Sequence, residues 1–289
     1  MAESTTVTIN DIDSFKLKAL YWAGYFKAVA LFDSNNYLVK LYPPKQWLLC
    51  VDALDEITAT QNSFAALKEF HAKANALIAG YFTYDLKNEI EELQSSHPDN
   101  IGFPALYFFK PRYVFEINGN KLTVNRNYPE TFELVETIEK INLEKLSATT
   151  TAPVEIKART TKEEYLQNVQ YIQQQIEAGD FYELNYCTEF YAENAPINPV
   201  ATFLKLNDKG KAPFSCFFKR EDKFLLCASP ERFLKKEGNQ LISQPIKGTI
   251  KKGSTPEENK QWQEQLRNDI KERAENVMIV DLVRNDLGK

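Results

Sequence analysis

The sequence predicts an α+β fold, in which helices precede and follow a run of antiparallel strands. Between residues 181 and 246, short apolar segments are separated by turn signals such as those at 220–223 and 238–239. Such spacing favours hairpins over βαβ crossovers. The chain has 289 residues, 43% hydrophobic and 26% charged, which is typical of a globular protein with a core.

The N-terminal region mixes helix and strand. Apolar residues recur at helical spacing from Phe64 to Leu77, and Gly80 suits the end of that helix. Residues 111–127 are typical of a β-hairpin, because the Asn-Gly pair at 118–119 is a strong turn signal between β-favouring segments.

A change in composition divides the chain. Residues 145–160 are rich in Thr and Ala and have little periodicity, so we predict an N-terminal region over 1–155 and a second region over 156–289. The chain stops at Lys289 directly after an apolar helical pattern, with nothing beyond it to cover that helix. We therefore expect the chain to be a fragment.

The second region begins and ends with helical patterns. Thr161 and Glu164 form a capping box ahead of an apolar stripe that Gly179 terminates. The predicted strands follow at 181–192, 214–220, 223–229, 232–238 and 240–246. The Tyr and Phe stripe of the first of these segments predicts alternating core packing. A final helix is predicted from the cap at Thr255 through Gly288.

Charge and cysteine usage exclude several classes of function. The net charge is −5 and no Lys/Arg stripe is present, which argues against nucleic acid as a partner. Four cysteines without C-x-x-C spacing and two histidines argue against zinc, a disulfide framework and an amidotransferase nucleophile. No signal-peptide core or membrane-length apolar run occurs. We expect a reduced, cytoplasmic protein without a membrane partner.

Lys247, in "SQPIKGTIKKG", is the first candidate for chemistry. Either it is a solvated lysine at a hairpin tip, or it is a nucleophile whose pKa, ordinarily ~10.4, needs burial or a neighbouring cation to fall. The amides around Gly248 and Thr249 could donate to a carboxylate of a substrate.

Glu231, in "ASPERF", is either an exposed turn acid or a general acid at a strand end. If the strands around 224–234 and 241–247 pair, Glu231 and Lys247 lie in neighbouring parts of one face, although the sequence does not set the register.

Glu272 and Glu275 share one face of the final helix, because they are spaced i, i+3. Two like charges there suit a hard cation such as Mg²⁺, which binds through one or two carboxylates and keeps several waters. The alternative is a solvated acidic face that Lys271 and Arg273 partly neutralise.

The motifs form an ordered set that resembles the chorismate-utilising enzymes, the family of anthranilate synthase component I. The set consists of "EAGDFYELNYCTEF", "APFSCFF", "ASPERF", "QPIKGT" and "ERAENVMIVDLVRNDLG", all within residues 160–289. A looser similarity in "GYFTYDLKNEIEEL" and "FPALYFFKPRY" extends it into the N-terminal region. The resemblance implies a fold of two packed antiparallel sheets with helices outside, whose C-terminal part is missing here.

The resemblance also implies roles for the candidate residues. Lys247 is the nucleophile that attacks C2 of chorismate, and Glu231 is the general acid that protonates the departing C4 hydroxyl. Gly248 and Thr249 contact the substrate through their backbone. Glu275 is a Mg²⁺ ligand with Glu272 as its water-mediated neighbour, so Mg²⁺ is the expected cofactor. Ammonia, from a separate glutamine amidotransferase subunit, then displaces the lysine.

The residue at position 247 separates two branches of that family. Aminodeoxychorismate synthases have P-I-K-G-T and anthranilate synthases typically have P-I-A-G-T, so Lys247 favours the first branch, whose product leads to 4-aminobenzoate and folate. Anthranilate synthase component I and a non-catalytic chorismate- or tryptophan-binding subunit are the alternatives.

This chain also departs from the pattern of the family. Glu183 stands where many members have Gln and where the water-adding branches have Lys, which disfavours an isochorismate synthase. The part that the resemblance implies to be missing supplies further groups that hold chorismate and a second Mg²⁺ carboxylate. We therefore expect the chain alone to be inactive.

Overall fold

The computed structural model describes residues 4–37, 42–59, 61–95, 97–125, 131–146 and 153–288. The strands in these ranges are β1 (Ser4–Thr8), β2 (Ala28–Asp33), β3 (Trp47–Ala59), β4 (Ala79–Phe82), β5 (Leu106–Asn118), β6 (Lys121–Asn125), β7 (Lys157–Ala158), β8 (Phe190–Tyr191), β9 (Phe214–Arg220), β10 (Lys223–Ser229), β11 (Arg232–Glu237) and β12 (Gln240–Gln244). The helices are α1 (Ile12–Ala23), α2 (Ser63–Ala74), α3 (Thr131–Glu139), α4 (Lys162–Ala178), α5 (Pro199–Gly210), α6 (Pro256–Asn268) and α7 (Ile270–Leu287). Short 3₁₀ turns occur at Tyr84–Glu89 and Leu143–Leu146. None of the helices in the described ranges has the length and apolar character needed to cross a bilayer.

Antiparallel pairing organises the strands, which confirms the predicted α+β class. The described part of the chain contains an eight-stranded sheet in the order β1-β6-β5-β3-β2-β9-β10, in which β4 also pairs with β5, at the end of β5 that β6 does not cover. The strands β11 and β12 form a separate hairpin, and β7 and β8 form a short ladder. The pairing of greatest sequence separation in the large sheet joins β2 to β9, from Ala28↔Arg220 to Asp33↔Ser215. Segments almost two hundred residues apart are therefore neighbours in one sheet.

The core covers both faces of this sheet. In β2, Ala28 to Leu31 are all buried, as are Trp47 to Val51 in β3. Helix α1 packs on one face through Phe15, Leu20 and neighbouring apolar residues. On the other face, Tyr107, Phe109 and Phe218 form an aromatic cluster with Cys50 and surrounding alanines. Because such side chains bury much apolar surface, this sheet contributes a large share of the core of the described chain, and it joins strands of both predicted regions.

The chain divides into two compact units. The first contains Met1–Ile141 and Phe203–Lys289, and the second contains Asn142–Thr202. The predicted regional boundary near residue 155 lies within the second unit. The first unit holds the large sheet, the β11–β12 hairpin and helices α6 and α7.

Local signals located most of the elements in the second half of the chain. The capping box of α4 forms as predicted: Thr161 Oγ1 accepts from the Glu164 amide at 3.2 Å, and the Glu164 carboxylate accepts from the Thr161 amide at 2.9 Å. Gly179 ends the helix in the left-handed conformation, with φ +87°. The strands β9 to β12 begin and end within a few residues of their predicted bounds.

The predicted helix ending at Gly80 is wrong beyond residue 74. Asn75 terminates α2 in the left-handed conformation, with φ +42°, and Gly80 belongs to β4. A Cβ on Gly80 would lie 2.1 Å from the Tyr107 carbonyl oxygen. The glycine is therefore needed for the close approach of β4 to β5 and does not serve as a helix terminator.

The predicted strand over 181–192 and the continuous final helix are also wrong. Only Phe190–Tyr191 of the segment 181–192 is a strand, and Tyr182 is 88% exposed, so the aromatic stripe of this segment does not form a strand core.

The final helix breaks at Asp269, where φ is −66° and ψ is 124°. The Asp269 carboxylate caps α7 by accepting from the Glu272 amide at 3.0 Å. An aspartate that bonds its own downstream amide competes with the continuous helix.

Candidate active site

The β11–β12 hairpin positions Glu231 beside Lys247. The two strands pair from Arg232↔Gln244 to Glu237↔Gln240, and Glu231 precedes the first of these pairs. The chain leaves β12 towards Ile246, whose amide donates to Glu231 Oε1 at 2.8 Å. The strand pairing on which the expected proximity of Glu231 and Lys247 depends is therefore present. The Glu231 carboxylate is held by the amide of Ile246, the residue before Lys247.

Arg232 attaches this hairpin to the large sheet. Its side chain is only 8% exposed, and its guanidinium donates to Gln244 Oε1 at 2.7 Å and to the Tyr42 carbonyl at 2.6 Å. It also lies 5.1 Å from the ring centroid of Phe214, at the start of β9. A buried arginine with two hydrogen bonds and an aromatic contact restricts the movement of the hairpin end that carries Glu231.

Gly248 places the loop after Lys247 directly against α7. Its φ is +82°, a conformation that glycine adopts without the cost that a Cβ imposes. A Cβ at this position would lie 2.7 Å from Glu272 Oε2 and 3.2 Å from Glu272 Cβ. The glycine therefore allows the loop to approach the predicted metal-binding face of the helix. Lys247 and Gly248 are half-buried, whereas Thr249 is exposed.

Glu272 and Glu275 lie on one face of α7, as their spacing requires. Lys271 Nζ is 3.4 Å from Glu275 Oε1 and 4.0 Å from Glu272 Oε1, so one cation is shared between them. Within the described ranges, no group of three or more His, Cys, Asp or Glu side chains is placed to hold a metal. Mg²⁺ usually takes only one or two carboxylate ligands from a protein and keeps several waters, so the pair Glu272 and Glu275 matches this requirement.

A cavity of about 410 Å³ connects the loop and the helices. Its lining consists of Lys247, Leu266, Arg267, Glu272, Arg273, Asn276 and Val277. Lys247 and Glu272, selected from separate motifs, thus contribute to one cavity. Sequence reasoning missed Arg267 and Asn276, and assigned Arg273 only to charge compensation. The i, i+3 spacing of Arg273 and Asn276 was the signal that could have placed both on one helix face.

The fold agrees with the comparisons to known proteins. The chain belongs to the family of chorismate binding enzymes, whose family model matches residues 18–289. The aminodeoxychorismate synthase component 1 of Escherichia coli is 39% identical over 129 residues, which are 45% of this chain and 28% of that protein. That of Klebsiella aerogenes is 31% identical over 211 residues, covering 73% of this chain and 46% of that protein.

Related anthranilate synthases are also similar to the chain. Anthranilate synthase component 1 of Thermus thermophilus is 30% identical over 225 residues, or 73% of this chain and 48% of that protein. The crystal structure of anthranilate synthase component I from Streptococcus pneumoniae has a TM-score of 0.66 and 22% identity, and the match covers 88% of this chain and 63% of that one. This likeness shows the shared fold, including its antiparallel sheets. The chain spans less than half the length of these curated relatives.

Proposed function

We propose that the protein carrying this sequence is an aminodeoxychorismate synthase component I, which converts chorismate and ammonia to 4-amino-4-deoxychorismate. One structural observation carries the proposal. The hairpin binds the Glu231 carboxylate to the Ile246 amide at 2.8 Å, next to Lys247, which lines the same cavity as Glu272. The similarity to aminodeoxychorismate synthase component 1 proteins of two bacteria supports the same assignment.

The first proposed step joins the substrate to the enzyme. The neutral amine of Lys247 adds to C2 of the chorismate ring, the ring double bonds shift, and the C4 hydroxyl departs as water with a proton from Glu231. The amide of Ile246 holds one oxygen of that carboxyl group. Fixing the acid and the nucleophile on one hairpin lowers the entropic cost of bringing both to the ring.

The second step releases the product. Ammonia adds at C4, the double bonds shift back, and the amine of Lys247 leaves C2. We assign the ammonia to a glutamine amidotransferase subunit, because the relatives are named component 1, which implies a partner component. The product would lead to 4-aminobenzoate and folate.

We assign Glu275 and Glu272 as the residues that would hold Mg²⁺. Their shared helix face and the absence of a blocking Cβ at Gly248 fit a cation that neutralises a substrate carboxylate. The arginines at 267 and 273 line the same cavity and suit a second carboxylate of the substrate. The backbone at the half-buried Gly248 and the exposed Thr249 is assigned to substrate contact.

We also propose a cytoplasmic location. The four cysteines, Cys50, Cys187, Cys216 and Cys227, all have free thiols. Free thiols are usual in a reducing compartment. Fractionation of cells that express the tagged full-length protein tests this assignment.

Replacement of the nucleophile tests the reaction. In the full-length protein, with Mg²⁺ and ammonium, Lys247→Ala should abolish aminodeoxychorismate formation measured by LC–MS. Lys252→Ala, an exposed lysine of the same loop, is the matched control and should keep the activity. Without ammonia, intact-mass spectrometry should find an adduct of chorismate less one water on wild type alone. Full activity in Lys247→Ala, or anthranilate as the product of wild type, would show the proposal to be wrong.

A further inference from the structure

Two of the four cysteines stand directly opposite each other in the large sheet. Strands β9 and β10 pair in antiparallel register, and Cys216 of β9 lies across from Cys227 of β10. Residues directly opposite each other in an antiparallel pair point to the same face of the sheet. Both side chains are half-buried, and both thiols are free. The proposed reaction uses neither residue.

The register places these two thiols close to the geometry of a covalent bond. Opposite residues in antiparallel strands have Cα atoms about 4.5–5.5 Å apart, which falls inside the range of about 4.4–6.8 Å that disulfides span. Their Cβ atoms are also about 4.5–5.5 Å apart, whereas a disulfide needs about 3.5–4.5 Å. Closing the bond therefore requires the two strands to approach each other by about 1 Å.

The position of β10 allows this approach. Among the described strands, β10 pairs with β9 alone and stands last in the order of the large sheet. The turn at 221–222 joins the two strands, so a single hairpin carries both thiols. A small shift of β10 towards β9 therefore disturbs no second strand pairing within the described ranges.

The strand pairings give the other two cysteines a different environment. Cys50 is buried in β3, where it lies opposite Ala30 and Val114. Cys187 is exposed and belongs to the second unit. In the described strands, the pair at 216 and 227 is thus the only one in which two cysteines face each other.

The two thiols differ in their access to a reagent. Cys227 lies on the outer strand, whereas Cys216 packs against the core cluster around Tyr107. Burial raises the pKa of the Cys216 thiol to about 12, and the neighbouring Cys227 adds to this rise, as expected for adjacent thiols. Since the thiolate is the reactive form of cysteine, Cys227 is the thiol that meets a reagent first.

We propose that Cys216 and Cys227 form a dithiol that a small-molecule disulfide oxidises reversibly to a cross-strand disulfide. The Cys227 thiolate attacks one sulfur of the small disulfide, and one small thiol leaves. The Cys216 thiolate then attacks the Cys227 sulfur of this mixed disulfide, and the second small thiol leaves. Two electrons pass from the protein to the small disulfide, and the two thiol protons of the protein end on the two released thiols.

The formed bond fastens the outer strand to its neighbour. Cys227 stands two residues before Ser229, the last residue of β10, so the bond holds the strand near its end. In a reducing compartment, which is the location proposed above, disulfides are mostly transient or redox-sensing, and this one is accordingly a reversible modification. The proposal does not depend on the reaction assigned to Lys247.

Peptide mass spectrometry after redox equilibration tests this proposal. The full-length protein is equilibrated with mixtures of reduced and oxidised glutathione, its free thiols are blocked with N-ethylmaleimide, and it is digested with trypsin. Trypsin cuts after Lys219, Arg220 and Lys223, so the two cysteines are released on separate peptides. In oxidising mixtures these peptides should be joined, with a mass lower than their sum by two hydrogen atoms. In reducing mixtures they should be separate and blocked.

Single variants separate the two steps. In Cys216→Ser the reaction should stop at the mixed disulfide, so Cys227 should carry one glutathione. In Cys227→Ser, the buried thiol of Cys216 should remain mostly free. Cys187→Ser changes an exposed thiol in the other unit, so it is the matched control and should form the joined peptides as wild type does.

A reagent that needs no variant provides a second measurement, in case a serine variant does not fold. Phenylarsine oxide bridges two neighbouring thiols, so folded wild type should gain a single arsenical that protects Cys216 and Cys227 together. Absence of this bridge, or separate peptides in the most oxidising mixture, would overturn the proposal. Joining of either cysteine to Cys50 or Cys187 in its place, or equal joining in protein unfolded by urea, would overturn it as well.

Discussion

Replacement of Gly248 by alanine separates backbone strain from the contact with Glu272. Gly248 has φ +82°, and Gly238, in the turn of the same hairpin region, has φ +57°. An alanine at either position should cost about 1–2 kcal/mol in the free energy of unfolding, the usual cost of a left-handed L-residue. At Gly238 the new Cβ would meet nothing within 4 Å, so Gly238→Ala reports the backbone cost alone.

Gly248→Ala carries an additional steric effect. Its Cβ would lie 2.7 Å from Glu272 Oε2, the far end of a flexible side chain that can rotate away, and 3.2 Å from Glu272 Cβ, which must give by a few tenths of an ångström. We therefore expect the two variants to lose similar stability in urea unfolding, within about 1 kcal/mol of each other. Only Gly248→Ala should displace the carboxylate, and the Mg²⁺ concentration for half-maximal aminodeoxychorismate formation should rise about tenfold, as for a disturbed metal ligand.

The outcome that refutes this reasoning is specific. Equal Mg²⁺ requirements in Gly248→Ala and wild type would show that Gly248 does not position Glu272 for a metal. A raised requirement in Gly238→Ala would show that general loosening of the hairpin, and not the Glu272 contact, is responsible. Failure of both alanines to reduce stability would contradict the left-handed conformations themselves.

Three further predictions concern stability and thiol reactivity. Thr161→Ala should destabilise α4 by about 1 kcal/mol in urea unfolding because it removes the capping box, whereas Thr161→Ser should be nearly neutral; equal losses would contradict a role for the hydroxyl. Arg232→Leu should cost about 1–3 kcal/mol because it leaves the partly buried Tyr42 carbonyl and Gln244 amide oxygen without this donor, and a loss below about 0.5 kcal/mol would argue against the anchor. Burial raises the pKa of Cys50 and Cys216 to about 12 from the ordinary 9.0. The folded state then binds more protons than the unfolded state between these values, so this contribution to stability is present below pH 9 and is lost as the pH rises towards 12. A disulfide reagent at pH 8 should accordingly modify the exposed Cys187 and spare the buried Cys50 until the protein unfolds, with the half-buried Cys216 reacting more slowly than Cys187, and rapid modification of Cys50 would contradict its burial.

Where a signal was local, the prediction and the structure agree. The Asn-Gly pair at 118–119 joins β5 to β6, and Gly179 ends α4 with φ +87°. Caps and tight turns depend on side chains and backbone within a few residues, so the sequence contains the interactions that form them. The predictions for Gly80 and for the aromatic residues at 181–192 were wrong for a different reason. The conformation of these residues depends on contacts with segments distant in the sequence, which a local pattern does not contain.

For the candidate site, motif order selected the residues and the fold brought several of them together. Glu231 and Lys247 belong to separate motifs, and their proximity follows from the pairing of β11 with β12. Arg267 and Arg273 line one cavity from the two sides of the helix break at Asp269, a break that the apolar pattern did not predict. The predicted roles of Lys247, Glu231 and the α7 carboxylates remain predictions for the experiments above.

The sequence by itself determined the strands and turns of the second half, the capped start of α4 and the identity of the residues proposed for chemistry. Only the tertiary structure decided that β2 pairs with β9, that Gly248 abuts Glu272, and that Arg232 anchors the hairpin end carrying Glu231. The physical reason is that periodicity encodes which face of an element is apolar, and short-range hydrogen bonds encode where it ends. Neither encodes which distant element covers that face, because this choice depends on packing across the whole chain.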